Sequence, residues 1–161
     1  MQKDSIPFFE DDVNPPLAGF PTVEREAIIA IIYDPKTETI LALDWPKFSW
    51  HTFLIGGIEA GETPVQAALR EIKEEVGYIN VKLIQELCKT RSSYHAAHKK
   101  ENRLSNETTL LFELQGHKQV EISSEEKAKH NIVWVPKGEI TTWLTIIPQL
   151  YMAKKAMEAL A

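Results

Sequence analysis

Glu71, Glu74 and Glu75 stand within five residues of one another, and their spacing is the best starting point for chemistry in this chain. In a helix, residues three and four apart share a face, so the three carboxylates project together. Like charges at that spacing destabilise a bare helix by a few tenths of a kcal/mol per pair. A hard divalent cation would offset the repulsion, and Mg²⁺ is suited to it because it takes carboxylate oxygens together with substrate phosphate.

The surrounding residues build the element that holds them. Thr63 reads as a helix N-cap and Pro64 as a first-turn residue, where a missing N–H costs nothing. Gly77 reads as the stop, where the chain turns left-handed. Val65, Ala68, Leu69, Ile72 and Val76 recur at three- and four-residue steps and predict one buried stripe. A run of Glu, Lys and Arg on a helix is ordinarily a solvated face. The glycine-rich entry at Gly56, Glu62 ahead of the helix and the terminating Gly77 weigh against that reading here.

Residues 56–78 resemble the signature of the Nudix hydrolases: Gly, five residues, Glu, seven residues, Arg-Glu, an aliphatic residue, any residue, Glu-Glu, any residue, Gly, an aliphatic residue. Here it reads Gly56, Glu62, Arg70, Glu71, Ile72, Glu74, Glu75, Gly77, Tyr78. Tyr78 departs from the aliphatic slot, and Leu54-Ile55-Gly56 replaces the usual Pro-Gly-Gly. The resemblance implies an α/β/α sandwich with a mixed sheet, covering about residues 23–160. It also implies hydrolysis, with Mg²⁺ or Mn²⁺, of a phosphoanhydride in a nucleoside diphosphate-linked substrate. Glu71, Glu74 and Glu75 are the implied metal ligands, joined by a backbone carbonyl from Ile55 or Gly56. Glu71 would also orient or deprotonate the attacking water. Arg70 would brace the glutamates, and Glu62 would support the loop or the metal shell. Members often add a carboxylate from outside the signature. Glu126 or Glu125 are the candidates, although Ser124-Glu125-Glu126 also reads as the cap of a short helix. Glu107 is a weaker one, read as a surface residue opening a strand.

The rest of the chain reads as mixed α/β. Residues 24–33 form an apolar strand, Asp34–Thr37 a turn, and Thr39–Leu43 the returning strand. Trp45–Phe53 reads as an aromatic loop and short strand. Strands follow at Asn80–Cys88, Glu107–Leu114 and Ile132–Val135. Glu139–Leu160 reads as helix, packed through Trp143, Ile147, Leu150 and Met157 and kinked or restarted at Pro148. Residues 1–22 read as an extended arm laid on the body or used in a partner contact, and residues 23–161 as the domain.

Composition limits the partners. With 161 residues, 43% hydrophobic and 25% charged, the chain suits one core. A net charge of −5 argues against a general nucleic-acid or membrane-surface binder. One cysteine, Cys88, excludes an internal disulfide, and no apolar run approaches the length of a membrane span. A cytoplasmic location is expected.

Substrate contacts are read from scattered residues. Residues 91–103 read as the most basic loop, where Arg91, Lys99, Lys100 and Arg103 could meet phosphates. Tyr94 sits where dinucleoside polyphosphate hydrolases of the resembled family carry a tyrosine. Trp50 or Trp45 could stack on a base. His95 and His98 form no believable zinc set. A dinucleoside polyphosphate or nucleoside triphosphate is the expected substrate. The alternative is a catalytically silent or accessory domain that binds nucleotide or RNA, for example beside an aminoacyl-tRNA synthetase. Phe8, Phe9 and Phe20 on the arm admit a homodimer.

Overall fold

The computed structural model describes residues 5–161. Its centre is β2 (Thr22–Asp34), whose stretch Ala27–Tyr33 is buried on both sides. Such a run of Ile and Ala has no polar face, so it must be covered above and below. β3 (Thr39–Trp45) and β4 (Trp50–Thr52) continue one edge, and β5 (Leu54–Gly57) pairs antiparallel with β2. β6 (Val81–Ala96) and β7 (Glu101–Leu114) make a long antiparallel hairpin, with β7 parallel to β2. β8 (Asn131–Pro136) pairs with β3. Together with β1 (Phe8–Glu10) these form one mixed eight-stranded sheet, ordered β1-β6-β7-β2-β3-β4.

Helices cover both faces, as expected of an α/β/α sandwich. α1 (Pro64–Val76) packs on one face over Ile28, Ala30, Ile32, Leu54 and Phe112. α3 (Ile140–Trp143) and α4 (Ile147–Leu160) cover Ile29, Ile31 and Leu111 on the other. α2 (Ser124–Lys129) is a single short turn beside the C-terminal end of α1. Pro148 falls in the first turn of α4, so the helix restarts there.

Several expectations change. The stretch 91–103 is not a loop: it is the outer hairpin of β6 and β7, turned at 97–99. Its polar residues alternate across the two strands and escape a hydrophobic-period reading. Leu69 is 41% exposed whereas Ala67 is fully buried. α1 is rotated so that its Glu71 side, not its Leu69 side, faces the sheet. Ile147 is 52% exposed, and α4 instead buries Gln149, Met152, Ala153 and Ala156. Gln149 is drawn in because its Oε1 accepts the Phe53 N–H at 2.7 Å.

The leading arm is tied to the hairpin. Phe8–Glu10 pairs parallel with Arg91–Ser93, and the Asn102 side chain bonds both the N–H and the C=O of Leu17. The His95 ring packs edge-on against Phe20 and bonds Asn102 through Nδ1, which accounts for that histidine without a metal.

Candidate active site

The loop between β5 and α1 is held by one guanidinium. Arg70 donates from Nε and Nη2 to both oxygens of Glu62, at 2.8 and 2.9 Å. Nη2 also bonds the Gly57 carbonyl at 3.0 Å, and Nη1 reaches Glu71 at 2.8 Å and Glu74 at 3.3 Å. Glu62 in turn accepts the Glu59 N–H. The planar fork of arginine suits this bidentate geometry as a lysine would not. The bond to Arg70 holds the Glu62 carboxyl below its ordinary range, and Glu62 raises the Arg70 guanidinium further.

α1 is built to present this face. Thr63 and Gln66 cap each other's backbone N–H groups, and Gly77 closes the helix at φ 77°. Gly56 explains the rotation of the helix. A Cβ there would collide with the Glu71 side chain, so glycine lets that carboxylate lie against the sheet. Tyr78, in the slot where an aliphatic residue is usual, is 6% exposed. Its hydroxyl accepts from the Trp134 indole at 3.3 Å, so the aromatic replaces an aliphatic core residue and gains a partner.

Glu75 is the most perturbed group. Burial, together with the neighbouring Glu71 and Glu126 carboxylates, pushes its carboxyl up to about 9. Its Oε2 is buried with no hydrogen-bond partner. Beneath it, buried His130 meets the Glu75 carbonyl through Nε2 and packs on Trp45. Among the described residues no three His, Cys, Asp or Glu side chains stand already arranged around an ion. Arg70 engages Glu71 instead. The donor set nevertheless fits a hard divalent cation: an orphaned buried carboxylate oxygen with two further carboxylates beside it.

Each expected residue has a definite place. Arg70, Glu71, Glu75 and Glu126 come together. Glu126 sits in α2, N-capped by Ser123 rather than Ser124, with its side chain turned inward, whereas Glu125 is 83% exposed. Glu74 faces a groove of about 620 Å³ lined by Arg70, Lys73, Ile122 and Glu126. Ile55 and Gly56 lie within β5, but the loop carbonyl that Arg70 engages belongs to Gly57.

The expected substrate contacts do not converge. Arg91 pairs with Asn106 on the α1 face of the hairpin, bonded at 3.0 Å. Tyr94 and Arg103, paired with each other, lie on the opposite face. Alternation along a strand separates them. Trp50 is 37% exposed, paired with Trp45 and stacked on Phe48 at 4.5 Å. Glu107 is no surface residue opening a strand. It lies mid-β7, half-buried, its Oε1 accepting from Ser92 at 2.6 Å and Thr90 at 3.2 Å. Burial raises its carboxyl above the ordinary range. The Gly57 carbonyl and His130 were not foreseen, since neither carries a local signal.

A family model described as the NUDIX domain matches residues 23–154. An RNA pyrophosphohydrolase of Nitratiruptor sp. is 28% identical over 145 residues, covering 83% of this chain and 91% of that protein. The dihydroneopterin triphosphate diphosphatase of Escherichia coli is 45% identical over 53 residues, and the match spans 31% of this chain and only 34% of that protein. The C. elegans Ap4A hydrolase structure superposes with a TM-score of 0.62 at 22% identity, covering 86% of this chain and all of that one. The structure of the E. coli dihydroneopterin triphosphate pyrophosphohydrolase gives 0.60 at 18% identity, over 83% of this chain and 96% of that one. With the signature, the capped carboxylate helix and the sandwich all in place, the chain belongs to the Nudix hydrolase family.

Proposed function

We propose that this protein hydrolyses a phosphoanhydride bond in a nucleotide-like substrate, using Mg²⁺ or Mn²⁺. The buried, partnerless Oε2 of Glu75 beside Glu71 and Glu126 carries the reading, because such an oxygen needs a cation or a proton. Glu71, Glu74, Glu75 and Glu126 would hold the ion, with a loop carbonyl from Ile55 or Gly56. Bound there, it supplies charge neutralisation on the phosphate and a more acidic water. Glu71 would orient the attacking water and accept its proton. Arg70 keeps Glu71 and the 57–62 loop in register, acting through them rather than on substrate. Trp50, Arg91, Tyr94 and Arg103 are the proposed substrate contacts from sequence. Trp50 and Arg91 lie on the α1 face of the sheet, and Tyr94 and Arg103 on the opposite one.

The relatives' names supply dihydroneopterin triphosphate, Ap4A and RNA for the substrate panel, to which 5′-triphosphate ends on the RNA and free nucleoside triphosphates are added. Phosphate and pyrophosphate release should depend on Mg²⁺ or Mn²⁺, vanish with chelator and fall at least about a hundredfold in Glu75→Gln. Silence across the panel from folded protein would favour the accessory, RNA-binding reading. Its own test is RNA affinity at two salt concentrations, where phosphate contacts give a steep slope. No helix of the described residues is long and apolar enough to cross a membrane. We place the protein in the cytoplasm, and a homodimer, if formed, at the arm, where Phe8 and Phe20 are exposed.

A further inference from the structure

Across four neighbouring strands, Gly57, Ala27, Glu107 and Thr90 stand in one row. Residues directly paired across strands share a face. This row therefore faces away from α1, toward the side covered further along by α4. Gly57 ends β5 at the loop that leads into the glutamate-bearing helix α1, and two guanidinium groups flank it. Its carbonyl holds Arg70, while Nη2 of Arg25 stands 3.4 Å from where a Cβ would project. Arg25 is half-buried and, among the described residues, makes no ion pair or side-chain hydrogen bond. The Glu107 carboxylate stands within its electrostatic reach but not in salt-bridge contact, which leaves its N–H groups for a phosphate oxygen.

Two strand spacings along the row, roughly 10 Å from Gly57, lies Glu107. Both hydroxyl donors, from Ser92 and Thr90, land on its Oε1. Its Oε2 has no hydrogen bond to the described residues and is not fully sealed from solvent. No cation pairs with it within salt-bridge distance. An ionised carboxylate only accepts hydrogen bonds, so its complement is a donor edge. Ile55 shares this face through its pairing with Ile29 and is 39% exposed, an apolar surface fit for the flat side of a ring.

We propose that Arg25 and Glu107 are specificity-determining residues for the hydrolysis inferred above, on which this assignment rests. Arg25 binds a substrate phosphate oxygen, and Glu107 Oε2 reads the 2-amino-4-oxo edge of a guanine- or pterin-type ring. That edge offers two adjacent N–H donors. The adenine edge sets an amine beside a ring nitrogen whose lone pair would face the carboxylate and be repelled.

The test compares GTP, ITP, ATP and dihydroneopterin triphosphate as probes, in hydrolysis and in calorimetric binding. ITP has the guanine ring without its 2-amino group. Wild type, Arg25→Met, Arg25→Lys and Glu107→Gln are compared, with thermal melts to confirm folding. GTP or dihydroneopterin triphosphate should exceed ITP and ATP by about tenfold or more in affinity or kcat/KM, the size of one charge-assisted bond. Which of the two is preferred separates a nucleotide source from a pterin one. Glu107→Gln should erase the gap between GTP and ITP through KM, leaving kcat within a few-fold. Arg25→Met should weaken all the triphosphates alike, with partial recovery in Arg25→Lys. Binding in this order without turnover would sustain the assignment and sink the hydrolytic reading. Turnover with no discrimination between GTP and ITP, or no effect of Glu107→Gln in a folded variant, would overturn the assignment. So would failure of wild type to bind either 2-amino-4-oxo probe.

Discussion

At the residue scale, the site rests on unequal burial of carboxylates that are nearly identical in sequence. Glu74 is 56% exposed and Glu71 13%, although both contact Arg70. Glu75→Gln should cost at least about a hundredfold in turnover, roughly 3 kcal/mol of transition-state stabilisation, with little loss of metal-free stability at neutral pH, because the buried carboxyl is already protonated there and the amide matches its shape. Gly56→Ala should be comparably damaging by another route, displacing Glu71; kcat measured beside a melting curve will separate the two. Glu75 also sets a pH dependence. Its folded carboxyl, near 9, holds a proton more tightly than the unfolded value of 4.5. Metal-free protein should therefore lose stability as pH climbs through that window. A melting series in chelator should show the decline, Glu75→Gln should flatten it, and added Mg²⁺ should raise Tm most at the alkaline end.

At the element scale, α1 depends on its ends as much as on its packing. The Thr63–Gln66 capping box satisfies N–H groups that would otherwise lack partners. Thr63→Ala should cost about 1 kcal/mol. Gly77→Ala should cost more, since it combines a left-handed φ with close approach to the Val120 carbonyl. Denaturant midpoints at unchanged slope will distinguish these from changes in the unfolded state. Arg70→Lys should preserve the helix yet loosen the loop, because an ammonium cannot bridge Glu62, Glu71 and Gly57 in one plane. Activity should fall while Tm shifts by only a few degrees.

At the scale of the whole molecule, the leading arm closes an edge. β1 occupies the outer side of β6 and Asn102 anchors Leu17. Removing residues 1–21 would bare the N–H and C=O groups of Arg91–Ser93, an invitation to edge pairing. The truncated protein should melt lower and aggregate on warming, measurable by light scattering. The proposed metal site sits on α1, over β2 and β5 rather than over the β1 edge, so residual folded protein should keep any metal dependence.

How much was legible beforehand follows from range. The helix 64–76, its two caps, the carboxylate triad and the family itself were set by neighbours three and four residues apart, a spacing any helix converts into contact. The apolar strand at 24–33 announced itself by a run with no polar face. The contacts that place the chemistry are different. The inward turn of Glu71 needed a glycine fifteen positions earlier, and the partner of Glu75 across the groove came from α2, 51 residues later. The outer hairpin hid its strands in polar residues, and only pairing revealed that Arg91 and Arg103 face opposite ways. The sequence by itself determined which groups could bind a cation and which helix would carry them. Only the tertiary structure decided which carboxylate lost its water, and which face of the sheet each polar strand residue joined, because both depend on residues brought together across the fold.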